Sequence, residues 1–322
     1  MDLEAKWRLE VQTAPEDKVQ VLRATVDTFA LHFKQTYVDV QLKPSSRRGY
    51  VRYLRQIADW WEGAWMRSLT RQDVMTWRAE LAASGLAPKT VNNAMGVLGS
   101  MCTEALKQGY LDANPCQDIA KLPLEPQEYT WWTKEESDRF LRALERTEPQ
   151  WYPHFAVLLL TGMRLGESLA LQWSDIDMRR GRISIRRNYT AGMVATPKSG
   201  RGRLIVCSRR LMQILKAAPR HVNSELCFPR PDGAHRNGNM MWKPMRRARI
   251  RANLEHIRIH DLRHSFASQM ASAGVPVRTL QEMLGHADIK MTMRYAHLSP
   301  CDMEAWADAL DEPREVGLRR MR

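Results

Sequence analysis

No run of eighteen apolar residues occurs anywhere in the 322-residue chain, so no segment is expected to span a membrane. The opening Met1-Asp-Leu-Glu4 lacks a basic stretch followed by an apolar one, so no secretory leader is expected either. Cysteine is scarce. Cys102, Cys116, Cys207, Cys227 and Cys301 are the whole set, and no two form a C-x-x-C pair. That odd, dispersed set argues against a zinc site and reads as buried or free thiols in a reducing cytosol. Internal repeats and low-complexity tracts are also missing. The upstream third is short of net charge, with 15 Lys+Arg against 14 Asp+Glu in residues 1–118. Residues 119–322 hold 34 against 22, so nearly all of the net +13 lies there. Most of these cations are arginines, which pair with phosphate in bidentate fashion better than lysines do. A solvated basic surface would give the same count; the arginine bias tips the reading toward a polyanion.

What is present is enough for two domains with cores of their own: 322 residues, 44% of them hydrophobic. Residues 1–23 are polar and read as a tail or short helix, an N-terminal extension. Helical periodicity then begins, with Val26, Phe29, Ala30 and Phe33 on one stripe. A second helix covers Arg48–Trp61. A third opens at Thr70-x-x-Asp73 and closes at Gly85. Pro88 starts a long fourth that carries Val91, Met95, Leu98, Cys102 and Leu106 and ends before Gly109. Residues 24–120 are thus predicted to be an all-helical domain. Pro123 and Pro126 mark 121–132 as a linker. Thr133-x-x-Glu136 begins a mixed α/β domain over 133–298. It has a strand at Arg182–Arg186 and a hairpin in which Met193–Pro197 and Arg203–Val206 flank Ser199-Gly-Arg-Gly202. Residues 299–322 form a C-terminal tail.

Three boxes carry chemistry. In Thr161-Gly-Met-Arg-Leu-Gly-Glu167, Arg164 stands at a helix start, where free backbone N–H groups would add to an anion site, and Glu167 lies one turn on. An ordinary surface ion pair is the plain alternative. In His260-Asp-Leu-Arg-His264, His260 and Arg263 are three residues apart and share a helix face. His260 can exchange a proton near neutral pH, whereas Arg263 can only hold charge. Metal binding by His260 and His264 would need further ligands, and Asp261 stands where H-E-x-x-H has its glutamate. In the third box Gly285 ends a helix, His286 occupies the turn and Tyr295 falls on the next short helix. A lone tyrosine is usually a packing residue, and its phenol needs deprotonation help and positive surroundings to attack anything. Lys198 sits in the predicted hairpin, where it could enter a DNA groove. Arg201 and Arg203 compete for that task.

Together these boxes resemble the tyrosine recombinases, or phage-type integrases, over nearly the whole chain from about Thr25 to Leu310. Thr161–Glu167 resembles the family's first arginine box and His260–His264 its H-x-x-R box. Leu284-Gly-His286 and Arg294-Tyr-Ala-His297 resemble the histidine and nucleophile boxes. The resemblance implies a mainly α fold with a small β-sheet: a helical, SAM-like core-binding domain followed by a mixed α/β catalytic domain. It implies a site-specific recombinase of a phage or other mobile element, working through a 3′-phosphotyrosyl intermediate with no metal or other cofactor. A resolvase-type recombinase or a type IB topoisomerase-like nicking-closing enzyme is the alternative. Tyr295 would attack, Arg164 and Arg263 would clamp the phosphate, and Lys198 would protonate the leaving oxygen. His260 would serve acid–base work, His286 would hydrogen-bond the phosphate and Glu167 would orient its neighbours. Lys89, Thr90 and Asn93 are the implied DNA contacts in the helical domain, with Arg47, Arg48 and Arg201 as further ones. The implied partners are duplex DNA carrying recombination sites, copies of the chain in a tetramer on that DNA, and a directionality factor. The tail, through Trp306 and Leu310, would dock on a neighbouring protomer. Residues 1–23 are too few for an arm-binding domain. The implied setting is the cytoplasm of a bacterial cell or phage-infected host, at the nucleoid.

Overall fold

A computed structural model describes residues 23–125, 129–196 and 202–300, and it falls into two compact units, Met1–Gln127 and Glu128–Arg322. The expectations for residues 1–22, Pro126, Lys198, Arg201, Trp306 and Leu310 lie outside the described residues.

The first unit is helical: α1 (Val26–Phe33), α2 (Pro44–Trp60), α3 (Arg71–Ala83) and α4 (Pro88–Lys107). Val26, Phe29, Ala30 and Phe33 are buried, as their spacing predicts. Trp61 is buried while Trp60 beside it is not, because adjacent helical positions point about 100° apart. The Thr70 hydroxyl accepts the Asp73 N–H (3.2 Å) and the Asp73 carboxylate accepts the Thr70 N–H (2.8 Å), so α3 opens on a true capping box. Leu106 departs from expectation: it is 39% exposed, and Ala105 is buried in its place. With 3.6 residues per turn, a stripe stepped from Val91 to Leu106 drifts roughly 60° off the core. Trp77, Phe29 and Phe33 fill the interior, each contributing about 2–3 kcal/mol by leaving water.

The second unit begins with α5 (Lys134–Thr147), capped by Thr133 and Glu136, then α6 (Tyr152–Thr161) and the short α7 (Leu165–Leu169). Among the described residues five short strands follow: β1 (Ile176–Asp177), β2 (Arg182–Ile185), β3 (Asn188–Thr190), β4 (Met193–Ala195) and β5 (Arg203–Val206). The expected hairpin between Met193–Pro197 and Arg203–Val206 is not the pairing observed. Met193–Ala195 pairs with Asn188–Thr190 as a separate ribbon, and Arg203–Val206 pairs with Arg182–Ile185 in an antiparallel sheet of order β1-β2-β5. Ala191 and Gly192 both have positive φ (58° and 86°), the backbone of a two-residue hairpin turn, and that turn fixes β4 on β3. Among the described residues five α-helices follow: α8 (Arg209–Ala217), α9 (Gly238–Arg251), α10 (Asp261–Ser272), α11 (Val277–Leu284) and α12 (Lys290–Met293). No helix among the described residues is long and apolar enough to cross a membrane.

Burial of α10 positions the site. Nearly every one of its side chains is out of water, polar ones included, although the helix has no apolar stripe. Several of its polar groups are matched individually, while the buried Ser268 hydroxyl has no partner among the described residues. The Ser265 hydroxyl donates to the Asp261 carbonyl (2.9 Å) and accepts the Trp132 N–H (3.0 Å), while Gln269 donates to the Trp132 carbonyl (2.9 Å). Arg263 and His264 therefore stand on a backbone clamped from several sides.

Candidate active site

Gly162 ends α6 in the left-handed region (φ 62°), and a β-carbon there would meet the Phe266 ring at 2.3 Å. Glycine alone satisfies both constraints, and the reversal aims the Gly162 carbonyl at Arg263. Arg164 follows as the N-cap of α7. Its backbone N–H is not open to an anion, as the sequence suggests, because the Glu167 carboxylate accepts it at 2.8 Å. The same carboxylate accepts from the Arg164 guanidinium at 3.0 Å. Glu167 thus takes the anion's place at the helix start and leaves the arginine side chain as the donor.

Glu167 is also gripped by Arg203 of β5, whose two terminal nitrogens reach its two oxygens at 2.9 and 2.7 Å. Burial alone would push this carboxyl's pKa up, but the hydrogen bonds and charge of Arg203, and then of Arg164, outweigh it and hold the value at about 2. Sequence reasoning places Arg203 at the base of the hairpin as a competitor for the DNA groove. The structure turns it inward, because β5 is a strand of the β1-β2-β5 sheet.

The C-terminus of α11 organises the remaining groups. Gly285 (φ 65°) closes the helix, and the His286 N–H bonds back to the Gln281 carbonyl at 3.1 Å. The last carbonyls are left for side chains. Three arginines take them in order: Arg203 donates to Met283 (3.1 Å), Arg263 to Leu284 (2.7 Å) and Arg164 to Gly285 (3.0 Å). Arg263 also donates to the Gly162 carbonyl at 2.6 Å. It is 5% exposed; burial first, then the charges of Arg164 and Arg203, depress its pKa to about 9, so it remains a cation at neutral pH. Arg164 and Arg203 share the one Glu167 carboxylate and Arg263 is held by carbonyls alone, so these three guanidinium groups leave two positive charges in excess beside His286.

His286 bonds to the buried Thr292 hydroxyl at 2.9 Å, and burial with the charge of Arg263 lowers its pKa to about 3. His260 precedes α10 and is only partly covered; that desolvation, followed by the charge of Arg263, lowers its pKa also. Tyr295 lies just past α12, in a turn rather than on the expected helix, and is 5% exposed. Its hydroxyl is hydrogen-bonded to His264 Nδ1. Burial pushes the phenol up to about 12, although Arg294 and Arg263 pull the other way. Tyr129 covers the His264 ring (centroids 4.6 Å apart) and Arg294 covers Tyr129 (4.6 Å).

The structure therefore gathers Arg164, Glu167, Arg263 and His286 about the end of α11 and sets Tyr295 on the residue next to Arg263. His260 stands one turn before His264, with ring centroids 5.4 Å apart. Sequence reading gives no role to Tyr129, weighs His264 only as a metal ligand and takes Arg203 for a rival at the DNA groove. His264 had a signal, since its four-residue offset from His260 puts both on one helix face, but the sequence weighs that pair only as metal ligands, a reading set below phosphate handling. Among the residues named for DNA contact, Lys89 and Asn93 are exposed on one face of α4, Thr90 is half-buried and Arg48 is exposed. Arg47 is half-buried and donates to the Leu42 carbonyl (2.8 Å), so part of its guanidinium braces the turn before α2.

Comparison with known proteins follows the same lines. The model of the phage integrase family matches residues 130–301. ICEBs1 integrase of Bacillus subtilis is 27% identical over 332 aligned positions, covering 97% of this chain and 89% of that protein. Tyrosine recombinase XerD of Halalkalibacterium halodurans is 27% identical, covering 85% of this chain and 93% of its own. Among solved structures, the Tn1549 transposon integrase in complex with transposon right end DNA superposes with a TM-score of 0.75 at 20% identity, over 90% of this chain and 100% of that one. A lambda integrase tetramer bound to a Holliday junction gives 0.67 at 16% identity, over 89% and 81%.

Proposed function

The chain belongs to the phage integrase family and is a site-specific tyrosine recombinase, and on that footing we propose how its own residues break and rejoin DNA. A backbone phosphate enters the site against Arg164 and Arg263. Their guanidinium groups, already fastened to consecutive carbonyls, neutralise the charge that builds on the non-bridging oxygens. His286, neutral and oriented by Thr292, donates its remaining hydrogen bond to the same phosphate. The Tyr295 oxygen attacks phosphorus, a 3′-phosphotyrosyl bond forms and the bond to the 5′-oxygen breaks. The phenolic proton passes to neutral His264 Nδ1, which already holds the hydroxyl, and His260, packed edge-on against His264, serves acid–base work at the phosphate. Lys198 protonates the departing 5′-oxygen. Ester energy is retained in the covalent link, so resealing onto another strand requires no nucleotide hydrolysis, and the arginines stand where other phosphotransfer enzymes place metal ions.

The single observation that carries this reading is the surplus of two positive charges, built from fixed guanidinium groups, beside a tyrosine on the same buried framework. We assign the helical unit to core-site binding and the mixed unit to catalysis. Assembly as a tetramer on paired sites is supported by the lambda integrase complex. Service to a mobile element is supported by the likeness to ICEBs1 integrase, which extends over nearly the whole chain. The test uses a nicked duplex carrying the repeats that border the encoding gene. Wild-type protein should accumulate a covalent adduct and Tyr295→Phe none; an adduct in that variant overturns the nucleophile assignment. Exchange between two such sites separates recombination from nicking and closing, because relaxation of supercoils without exchange would indicate a topoisomerase-like enzyme.

A further inference from the structure

We propose that Arg203 is a third arginine of the reaction centre, a positioning residue that fixes the Glu167 carboxylate and the end of α11 so that Arg164 and Arg263 meet the phosphate in the correct geometry. The inference rests on the site assignment above and adds a residue to it.

Several observations converge. The Arg203 side chain is 9% exposed and too enclosed to reach a DNA groove. It makes a two-pronged bond to Glu167 (2.9 and 2.7 Å) and a third to the Met283 carbonyl (3.1 Å). Glu167 in turn holds both the backbone and the guanidinium of Arg164. Arg203 therefore links the two supports of Arg164, the carboxylate on one side and the α11 terminus on the other. Gly285 is shaped around it, for a β-carbon there would lie 2.8 Å from the Arg203 side chain. Arg203 also belongs to a strand, and a rigid element gives the anchor precision that a loop could not. Without it Glu167 would keep one cation where it now has two, and Arg164 could swing toward the freed oxygen. Displacements near 1 Å at a reacting centre cost on the order of 100-fold in rate.

A merely structural arginine would leave the pH dependence of cleavage alone, so that is the discriminating measurement. The charged groups facing Glu167 are Arg164 of its own turn, Arg203 of β5 and Arg263 of α10. Removing Arg203 deletes the largest influence holding the carboxyl down and leaves burial, which raises it. The variant should lose activity as the medium is made mildly acidic, where the wild type does not.

The experiment measures single-turnover adduct formation on the nicked duplex at saturating protein, between about pH 5 and 8, with binding followed by gel shift and folding by thermal melting. Arg203→Ala should slow adduct formation about 100-fold with binding retained, and add an acid limb to the profile. Arg203→Lys, which keeps the charge but not the fork, should remove the acid limb while staying slow. In a Glu167→Gln background Arg203→Ala should cost little more, because both act through one carboxylate. Wild-type rates in Arg203→Ala, or losses that multiply independently of Glu167→Gln, overturn the proposal. If Arg203→Ala does not fold, Arg203→Lys decides: a wild-type rate there overturns it equally. Arg164→Ala run in parallel separates the two levels, since full cleavage without Arg164 would sink the underlying site assignment, whereas a dead Arg164→Ala with an active Arg203→Ala would sink only the role given to Arg203.

Discussion

The histidines of the site are held neutral by their surroundings, and that has a consequence for stability. Burial, followed by the charge of His260, lowers His264 to about 4; burial and then Arg263 lower His286 to about 3. In the unfolded chain both take up a proton near pH 6.5. A depressed histidine means that the unfolded state binds more protons than the folded one between these values, so stability is fully present above about pH 6.5 and is lost as the pH falls toward 3. Glu167, held at about 2, adds a loss of the same sign below its ordinary value near 4.5. Thermal melts should therefore fall from about pH 7 to 5, and His286→Asn should flatten that fall. An unchanged slope in the variant would mean that His286 protonates in the folded state without cost. The sequence groups Arg164, Arg263, His286 and Tyr295, with Lys198 and His260, through short boxes in a characteristic order, although it places Tyr295 on a helix where the structure has a turn. The contact between His264 and Tyr295 could not be read, since it depends on the turn after α12 carrying the phenol back onto α10.

Elements, rather than residues, set the geometry of the carbonyls that hold the arginines. The reversal at Gly162 is the tightest of these constraints, being both left-handed (φ 62°) and pressed against Phe266. Gly162→Ala should destabilise the fold by roughly 2–5 kcal/mol, summing the cost of a left-handed alanine and of overpacking. The same change should weaken cleavage, because the displaced carbonyl is the one Arg263 holds. Urea titration measures the first effect; a wild-type midpoint would show that neither the left-handed backbone nor the Phe266 contact opposes a β-carbon there. Capping signals made these helices readable in advance: Thr70, Thr133 and Gly285 stand at the ends the sequence assigns to them. Strand pairing was less accessible. Glycines at 200 and 202 drew attention as a turn, whereas the turn that fixes the β3–β4 ribbon lies at Ala191–Gly192, where alanine hides a positive φ. That pairing leaves β5 to join β2 and carries Arg203 inward, and so the role of Arg203 was hidden along with it.

Across the whole molecule the cations are unevenly shared: residues 1–118 are close to neutral, whereas residues 119–322 carry an excess of 12. Diffuse attraction to DNA must then come chiefly from the downstream part, and a near-neutral helical unit can contribute only through individually placed groups. Lys89 is the best placed of those named, exposed at the start of α4 with Asn93 one turn on along the same face. Each phosphate neutralised on a duplex releases condensed counterions, so the logarithm of the binding constant falls with the logarithm of salt concentration by about 0.9 per contact. Lys89→Gln should therefore weaken binding to cognate and unrelated duplexes alike and reduce the salt slope by about one contact's worth. The full-length protein titrated with a fluorescent duplex at several salt concentrations gives both quantities. Equal slopes and affinities for variant and wild type would remove Lys89, and with it the α4 face, from the DNA interface, leaving the downstream charge to account for binding alone.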